Sequence, residues 1–328
     1  MGDEMAELEF SVIIRTTGNA HEKYQKLLNS IVALEPQPKE VIVVLPDGYD
    51  LPEEKIGTET FLFSPKGMVN QRLAGVDYCK TPYALLCDDD VCFGPDFVQK
   101  LYEPLAKGLG GISTGPLYSF LPERPAEVII DSLSGAAAPT LFHKNRYVSV
   151  LKSTGYSYNR HLRPGRYYES QSVAGTCFFI DVAMFRCVHI EDERWIDAHG
   201  YAAMEDQAMI YKAWLRGCKT IVVPEAYYEH LDAKTSTKNR NPNIPYSRCV
   251  NRTIFWHRFI YEQQKSPVQR LSARAAWEYR MLWEHLYERL SVLRGRISKE
   301  DLTFRRKAWE DGRKYLQSAE YKDLPPVL

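Results

Sequence analysis

Short apolar runs alternate with stretches of helical period through the first third of the chain. FSVII at residues 10–14 and VIVVL at 41–45 are nearly continuous in apolar and β-branched residues, the pattern of strands buried on both faces. FLF at 61–63 and YALLC at 83–87 have the same character. Between them, residues 21–34 (HEKYQKLLNSIVAL) place Tyr24, Leu27, Leu28, Ile31 and Leu34 on one helical face, and a second helix is expected over residues 67–78. Strands and helices in this alternation predict a parallel sheet covered on both sides. In such sheets ligands gather at the carboxyl ends of the strands, so the residues that follow each strand carry the chemistry.

The middle of the chain is less regular. Residues 114–170 are rich in loop signals and hold a basic, tyrosine-bearing patch from Tyr156 to Tyr168. A plain surface loop is its simplest reading; a sugar acceptor or a nucleic acid also uses such interleaving. A buried strand is expected at 172–180 (SVAGTCFFI), a helix at 205–215 ending before Gly217, and a strand at 219–223 (KTIVV). Residues 232–245 are polar and without period, a loop. Three helical patterns follow, at 248–264, 268–293 and 299–318. In the second, Trp277, Met281, Leu282, Leu286 and Leu290 form one stripe, which is expected to pack on the rest of the chain or on a second copy in a homo-oligomer. A basic amphipathic segment of this kind also suits peripheral contact with an anionic membrane. The expected organisation is an α/β unit at 1–245 and a helical C-terminal extension at 246–328.

Composition adds a globular class: 328 residues, 45% hydrophobic, with 42 basic and 42 acidic side chains. The zero balance removes nucleic acid as the obvious partner. It also conceals a division, since residues 248–328 carry 17 basic and 10 acidic side chains and the part before them 25 and 32. No apolar run approaches the roughly 18 residues of a transmembrane helix. The acidic start MGDEMAELEF does not read as a signal peptide, so a cytoplasmic protein is expected, with its seven cysteines as free and mostly buried thiols. There is no P-loop, no GxSxG elbow and no HExxH.

The strongest chemical feature is Asp88-Asp89-Asp90, directly after YALLC. Three adjacent carboxylates repel one another, and a hard divalent cation, Mn2+ or Mg2+, relieves that repulsion. An acidic turn that caps the next helix is the simpler alternative.

With this triplet the sequence resembles family 2 glycosyltransferases of the GT-A fold, an α/β fold whose nucleotide-binding half ends in an Asp-any-Asp motif. FSVIIRTTGN resembles the opening strand and nucleotide loop, which implies Arg15, Thr16 and Thr17 near the base or ribose. VIVVLPDG implies a base contact for Asp47, and VNQRLAGV a nucleotide-side role for Arg72, with Leu73 standing where the family has asparagine. The resemblance places Asp88 and Asp89 on the nucleotide and Asp90, with Asp88 nearby, on the metal. In MEDQAMIYKAWLRG it implies Asp206 as the catalytic base, with Glu205 supporting acceptor binding; both residues also suit a helix's first turn as simple capping. It makes His230 in YYEHLD a further metal ligand, with Glu229 and Asp232 as neighbouring alternatives. The loop beyond, through Lys234, Lys238 or Arg240, is then positioned to pair with the diphosphate.

The implied reaction is inverting transfer from a nucleotide-diphosphate sugar, UDP-linked by preference, to a hydroxyl on a glycan, lipid-linked glycan or small molecule. Such chemistry belongs to polysaccharide or glycoconjugate biosynthesis. Two other readings stay open. One is a nucleotidyltransferase making the activated sugar, although RTTGNAHEKY lacks the Gly-rich basic loop such enzymes carry. The other is a non-catalytic glycosyltransferase-like binding subunit.

Overall fold

The computed structural model describes residues 8–232 and 243–328. β1 (Phe10–Arg15), β2 (Glu40–Pro46), β3 (Glu59–Ser64) and β4 (Tyr83–Asp88) form the parallel half of an eight-stranded sheet, with β1 between β2 and β4. α1 (Glu22–Val32) and α2 (Met68–Tyr78) are the crossovers. The other half differs from a uniformly parallel sheet: β11 (Cys177–Asp181) runs antiparallel to both β4 and β6 (Ile112–Thr114). β12 (Thr220–Val222) is parallel to β6, and β10 (Tyr168–Ser170) closes the edge antiparallel to β12.

Alternation along the strands divides the core in two. Val12, Ile14, Val43, Leu45, Leu85 and Phe179 pack with Tyr24, Leu27, Leu28 and Ile31 of α1 and with Phe97 and Leu101 of α3 (Phe97–Ala106). Ile13, Ile42, Val44, Leu86, Phe178 and Ile180 face the other way, onto Val69 and Val76 of α2 and Ala208 and Met209 of α6 (Glu205–Leu215). Each large side chain so buried contributes about 1.5–3 kcal/mol over an exposed one. Both faces are covered, which is why the strands read as continuous apolar runs.

The stretch from residue 114 to 170 is more ordered than its sequence suggests. It holds α4 (Pro125–Ser134) and a three-stranded sheet of β7 (Ala137–Pro139), β8 (Val148–Val150) and β9 (Tyr156–Tyr158), beside the main sheet. Of the expected strand at 172–180, only Cys177 onward pairs; residues before it form a loop beneath α6. A two-stranded ribbon joins β5 (Val91–Phe93) to β13 (Tyr228–His230).

α7 (Asn243–Phe255) runs on as a π-helical segment, Trp256–Tyr261, followed by α8 (Pro267–Leu293) and α9 (Lys299–Tyr315). Val250, Ile254, Phe255, Trp277 and Trp309 belong to the same apolar cluster as α2 and α6, and the boundary expected at residue 245 falls inside α7. A buried ion cluster adds to this junction. Glu193 accepts from Arg258 Nε and Nη2 at 2.8 and 2.9 Å and from Trp195 Nε1 at 2.6 Å, and Lys212 Nζ of α6 lies 2.8 Å away. The stripe expected on α8 is split. Trp277 and Met281 are buried with Ala273 and Glu288, whereas Leu282, Leu286 and Leu290 are exposed on the neighbouring face. Among the described residues no helix is long and apolar enough to cross a membrane.

Candidate active site

The carboxyl ends of β1 and β4 are adjacent in register, and their last residues, Arg15 and Asp88, are partners across the ladder. Side chains of opposite charge therefore meet at the edge of the sheet. Arg15 Nε donates to Asp88 Oδ1 at 2.5 Å and Nη2 to Oδ2 at 2.9 Å, a two-pronged pair. Arg72 approaches the same carboxylate at 3.6 Å and donates through Nε to Glu205 Oε1 at 2.7 Å; Glu205 Oε2 lies 3.8 Å from Arg15. The four residues form an alternating ring, with Arg72 and Glu205 almost wholly buried. Arg72 also donates to the Gly175 carbonyl and stacks over Phe178.

The ring takes up three of the expected site residues. Arg72 does not line the cleft and serves as its buried brace. Glu205 reaches the cleft wall with its carboxylate paired to the two arginines. Asp88 is held by Arg15 and, like Asp89, lines the cleft. The sequence could not reveal the ring, because a partner 133 residues away leaves no local periodicity.

Asp89 is buried and accepts from Thr16 Oγ1 at 2.5 Å; Thr16 itself accepts from the Gly18 amide. Burial pushes the Asp89 carboxyl up to about 7, opposed by the Thr16 hydrogen bond and aided by the charges of Asp90 and Asp88. Thr16 thus holds the acidic turn, and both Thr16 and Thr17 line the cleft. Asp47 is exposed in the turn after β2 and does not line the cleft. Leu73 is buried in the apolar core, which accounts for the absence of a polar side chain there.

The β5–β13 ribbon brings His230 to Asp90. His230 pairs in register with Val91, the Leu231 amide donates to the Asp90 carbonyl at 2.7 Å, and His230 Nε2 lies 3.3 Å from Asp90 Oδ1. The hydrogen bond to Asp90 raises the imidazole pKa against the opposing effect of burial. Asp232 also lines the cleft, whereas Glu229 on the same strand faces Cys92. Among the described residues no group of three or more His, Cys, Asp or Glu side chains is arranged to hold a metal alone. A carboxylate and a neutral imidazole still suit a divalent cation whose remaining positions are filled by substrate phosphates and water, as such cations are commonly held. Lys234, Lys238 and Arg240 lie outside the described residues.

Asp206 stands in the first turn of α6, entered through Met204 at φ 72°, a left-handed conformation uncommon for a side chain of this size. The loop at Gly175 passes directly against it: a Cβ on Gly175 would sit 2.7 Å from the Asp206 Cβ, so only glycine allows the approach. In return the Gly175 and Gln207 amides donate to the carboxylate. Burial, then the neighbouring Glu205 charge, pushes the Asp206 carboxyl up to about 6, which leaves it ionised and basic near neutral pH.

Arg15, Thr17, Asp90, Asp206 and His230 line one cleft of about 590 Å³. Tyr156, Arg248 and Arg252 complete it, none of them singled out from the sequence as a site residue. Tyr156 was part of the patch read as surface loop, but it is the first residue of a strand. The arginines carried one weak signal: they are four apart on a helix, beside buried Cys249, Val250 and Thr253.

Residues 11–187 match the model of Glycosyl transferase family 2. The chain belongs to that family, and its fold is GT-A. Crystal structures similar to it include S. aureus TarS 1-349 (TM-score 0.52, 13% identity, covering 93% of this chain and 80% of that one). TarS 1-349 in complex with UDP-GlcNAc gives a TM-score of 0.51 at 14% identity over the same shares, 93% and 80%. GalNAc-T7 with UDP, GalNAc and Mn2+ gives 0.52 at 13% identity, over 84% of this chain and 54% of that one. No curated protein matches the chain at a significant level.

Proposed function

We propose that this chain transfers a sugar from a UDP-sugar to an acceptor hydroxyl, with inversion, in the building of a polysaccharide or glycoconjugate. The observation that carries the reading is the placement of Asp206 in the same cleft as the Asp90–His230 pair. Asp206 takes the proton from the acceptor hydroxyl, whose oxygen bonds to the anomeric carbon as the bond from that carbon to the diphosphate oxygen breaks. Arg15 and Thr17 face the donor from the carboxyl end of β1. Asp90 and His230 hold Mn2+ or Mg2+, which when bound neutralises the charge of the departing diphosphate. The GalNAc-T7 structure contains UDP and Mn2+, and a TarS structure contains UDP-GlcNAc, in support of this donor and metal class.

The test is a thermal-shift screen of UDP, GDP and dTDP with and without Mn2+, followed by hydrolysis of the corresponding nucleotide sugars. UDP with Mn2+ is expected to stabilise most. A protein that binds no nucleoside diphosphate and cleaves no nucleotide sugar refutes the reading.

A further inference from the structure

The cleft is lined by bases as well as acids. Arg248 and Arg252, on α7, line it together with Asp206 and Tyr156. The same two arginines open into a side cavity of about 320 Å³, where Arg280 and Arg305 join them. One carboxylate lines that cavity, Glu284, which lies 2.9 Å from Arg280 and 3.4 Å from Arg252. Arg305 also lies 3.9 Å from buried Glu288, Asp131 is within electrostatic reach of Arg280, and Glu284 is within reach of all four arginines. Arg248 makes no ion pair with a described carboxylate and is exposed. Arginines in excess over carboxylates, on the wall of a cavity, form a recognition surface for an oxyanion, because the guanidinium fork matches phosphate or carboxylate with two parallel hydrogen bonds.

The position decides which substrate the anion belongs to. The donor's diphosphate is accounted for by the Asp90–His230 end. Tyr156, Asp206, Arg248 and Arg252 line the same cleft, and Tyr156 is within electrostatic reach of all three, so the arginines share the acceptor side with the base. A group held there is attached to the acceptor. We infer that the acceptor is anionic: it carries a phosphate or carboxylate close to the reacting hydroxyl, and Arg248 and Arg252 bind that group. The inference rests on the transferase reading above and adds the acceptor's chemical class.

Isothermal titration of the protein saturated with UDP and Mn2+ tests it, using glucose 6-phosphate, glucuronate and glucose as probes. At least one charged sugar is expected to bind about tenfold or more tightly than glucose, and which of the two does so distinguishes phosphate from carboxylate. The Arg248→Gln/Arg252→Gln double variant loses that preference while UDP affinity stays within about twofold. Arg248→Gln alone, at an exposed position where folding is not at stake, loses about threefold or more. Equal binding of all three sugars by the wild-type protein, or a preference that survives the double variant, overturns the inference. If UDP itself does not bind, the transferase reading fails. The sugar titrations are then read in buffer without nucleotide, where a preference abolished by the double variant leaves an anion site that serves no acceptor.

Discussion

Arg72 Nε donates to Glu205 Oε1 at 2.7 Å, joining the helix after β3 to the first turn of the helix that carries Asp206. With both side chains buried, the pair fixes where α6 begins relative to the sheet. Replacing Arg72 with Met leaves Glu205 as a buried charge short of its main partner, and Asp88 with only Arg15. Arg72→Met is expected to lower the unfolding free energy by about 3–5 kcal/mol, read by urea denaturation. In the folded fraction it lowers kcat by on the order of tenfold to a hundredfold with little change in the donor KM, since Asp206 is displaced and the donor end is not. A raised donor KM with unchanged kcat would return Arg72 to the nucleotide.

Gly175 tests the same placement from the other side. A methyl group there must displace the Asp206 Cβ or the loop. Gly175→Ala is expected to lower stability by about 1–3 kcal/mol. Transfer falls by about a hundredfold while UDP with Mn2+ still stabilises the protein. Full activity in Gly175→Ala would mean that the position of the base tolerates a shift that direct proton transfer does not.

The titration of Asp206 gives a pH prediction. Its carboxyl is pushed up to about 6 by burial, so kcat/KM rises as pH increases through that value and levels above it. Asp206→Asn removes the rise and lowers transfer by about 10²–10⁴-fold. Stability moves oppositely. A carboxyl that holds its proton more tightly folded than unfolded loses stabilising free energy as pH rises from the unfolded value, 3.8, to about 6. Without metal, Asp206→Asn is therefore more stable than wild type above pH 6, by on the order of 1 kcal/mol, and the gain vanishes below about pH 4. Thermal melts across this range decide it.

How far the site was legible follows from which contacts are local. Asp88, Asp89 and Asp90 terminate an apolar strand, and Glu205 and Asp206 start a helix, so pattern alone put them at the sheet's carboxyl edge. The partners were not legible. Arg15 meets Asp88 across 73 residues and Arg72 meets Glu205 across 133, distances over which only the fold decides who pairs with whom. Asp47, in a polar turn, had the same local signature as a ligand contact and lies off the cleft. On α8, one apolar spacing fitted two adjacent helix faces, and burial of Ala273 and Glu288 shows which one packs. Side-chain type alone could not separate them, because the buried face includes a carboxylate and the exposed face three leucines.

The Glu193 cluster is the firmest stability prediction. One buried carboxylate pairs with both Arg258 and Lys212, Lys212 being held also by Asp192 at 3.1 Å, and ties α6 to the C-terminal helices. Glu193→Gln leaves buried Arg258 without its carboxylate and Lys212 with Asp192 alone, and a loss of about 3–5 kcal/mol is expected. Glu193→Gln/Arg258→Met recovers part of the loss, because the orphaned guanidinium is gone. Additive losses in the double variant would show that packing, rather than charge, dominates the junction.

The last prediction separates the donor end from the base. Asp90→Ala is expected to abolish the extra thermal stabilisation that Mn2+ adds to UDP, as EDTA does in the wild-type protein, whereas Asp206→Asn retains it. His230→Ala raises the Mn2+ concentration needed by about tenfold or more. Proton competition gives a further signature. The hydrogen bond that His230 donates to Asp90 raises its pKa, so the imidazole binds a cation only after losing a proton it holds more tightly than a free histidine does. Apparent Mn2+ affinity therefore increases as pH rises through that raised value, and His230→Ala flattens this dependence. A UDP-induced shift indifferent to EDTA and to Asp90→Ala would place the donor elsewhere on the chain. A shift lost in Asp206→Asn and kept in Asp90→Ala would mean that the two ends of the cleft have been exchanged, with the base at the ribbon and the cation at α6.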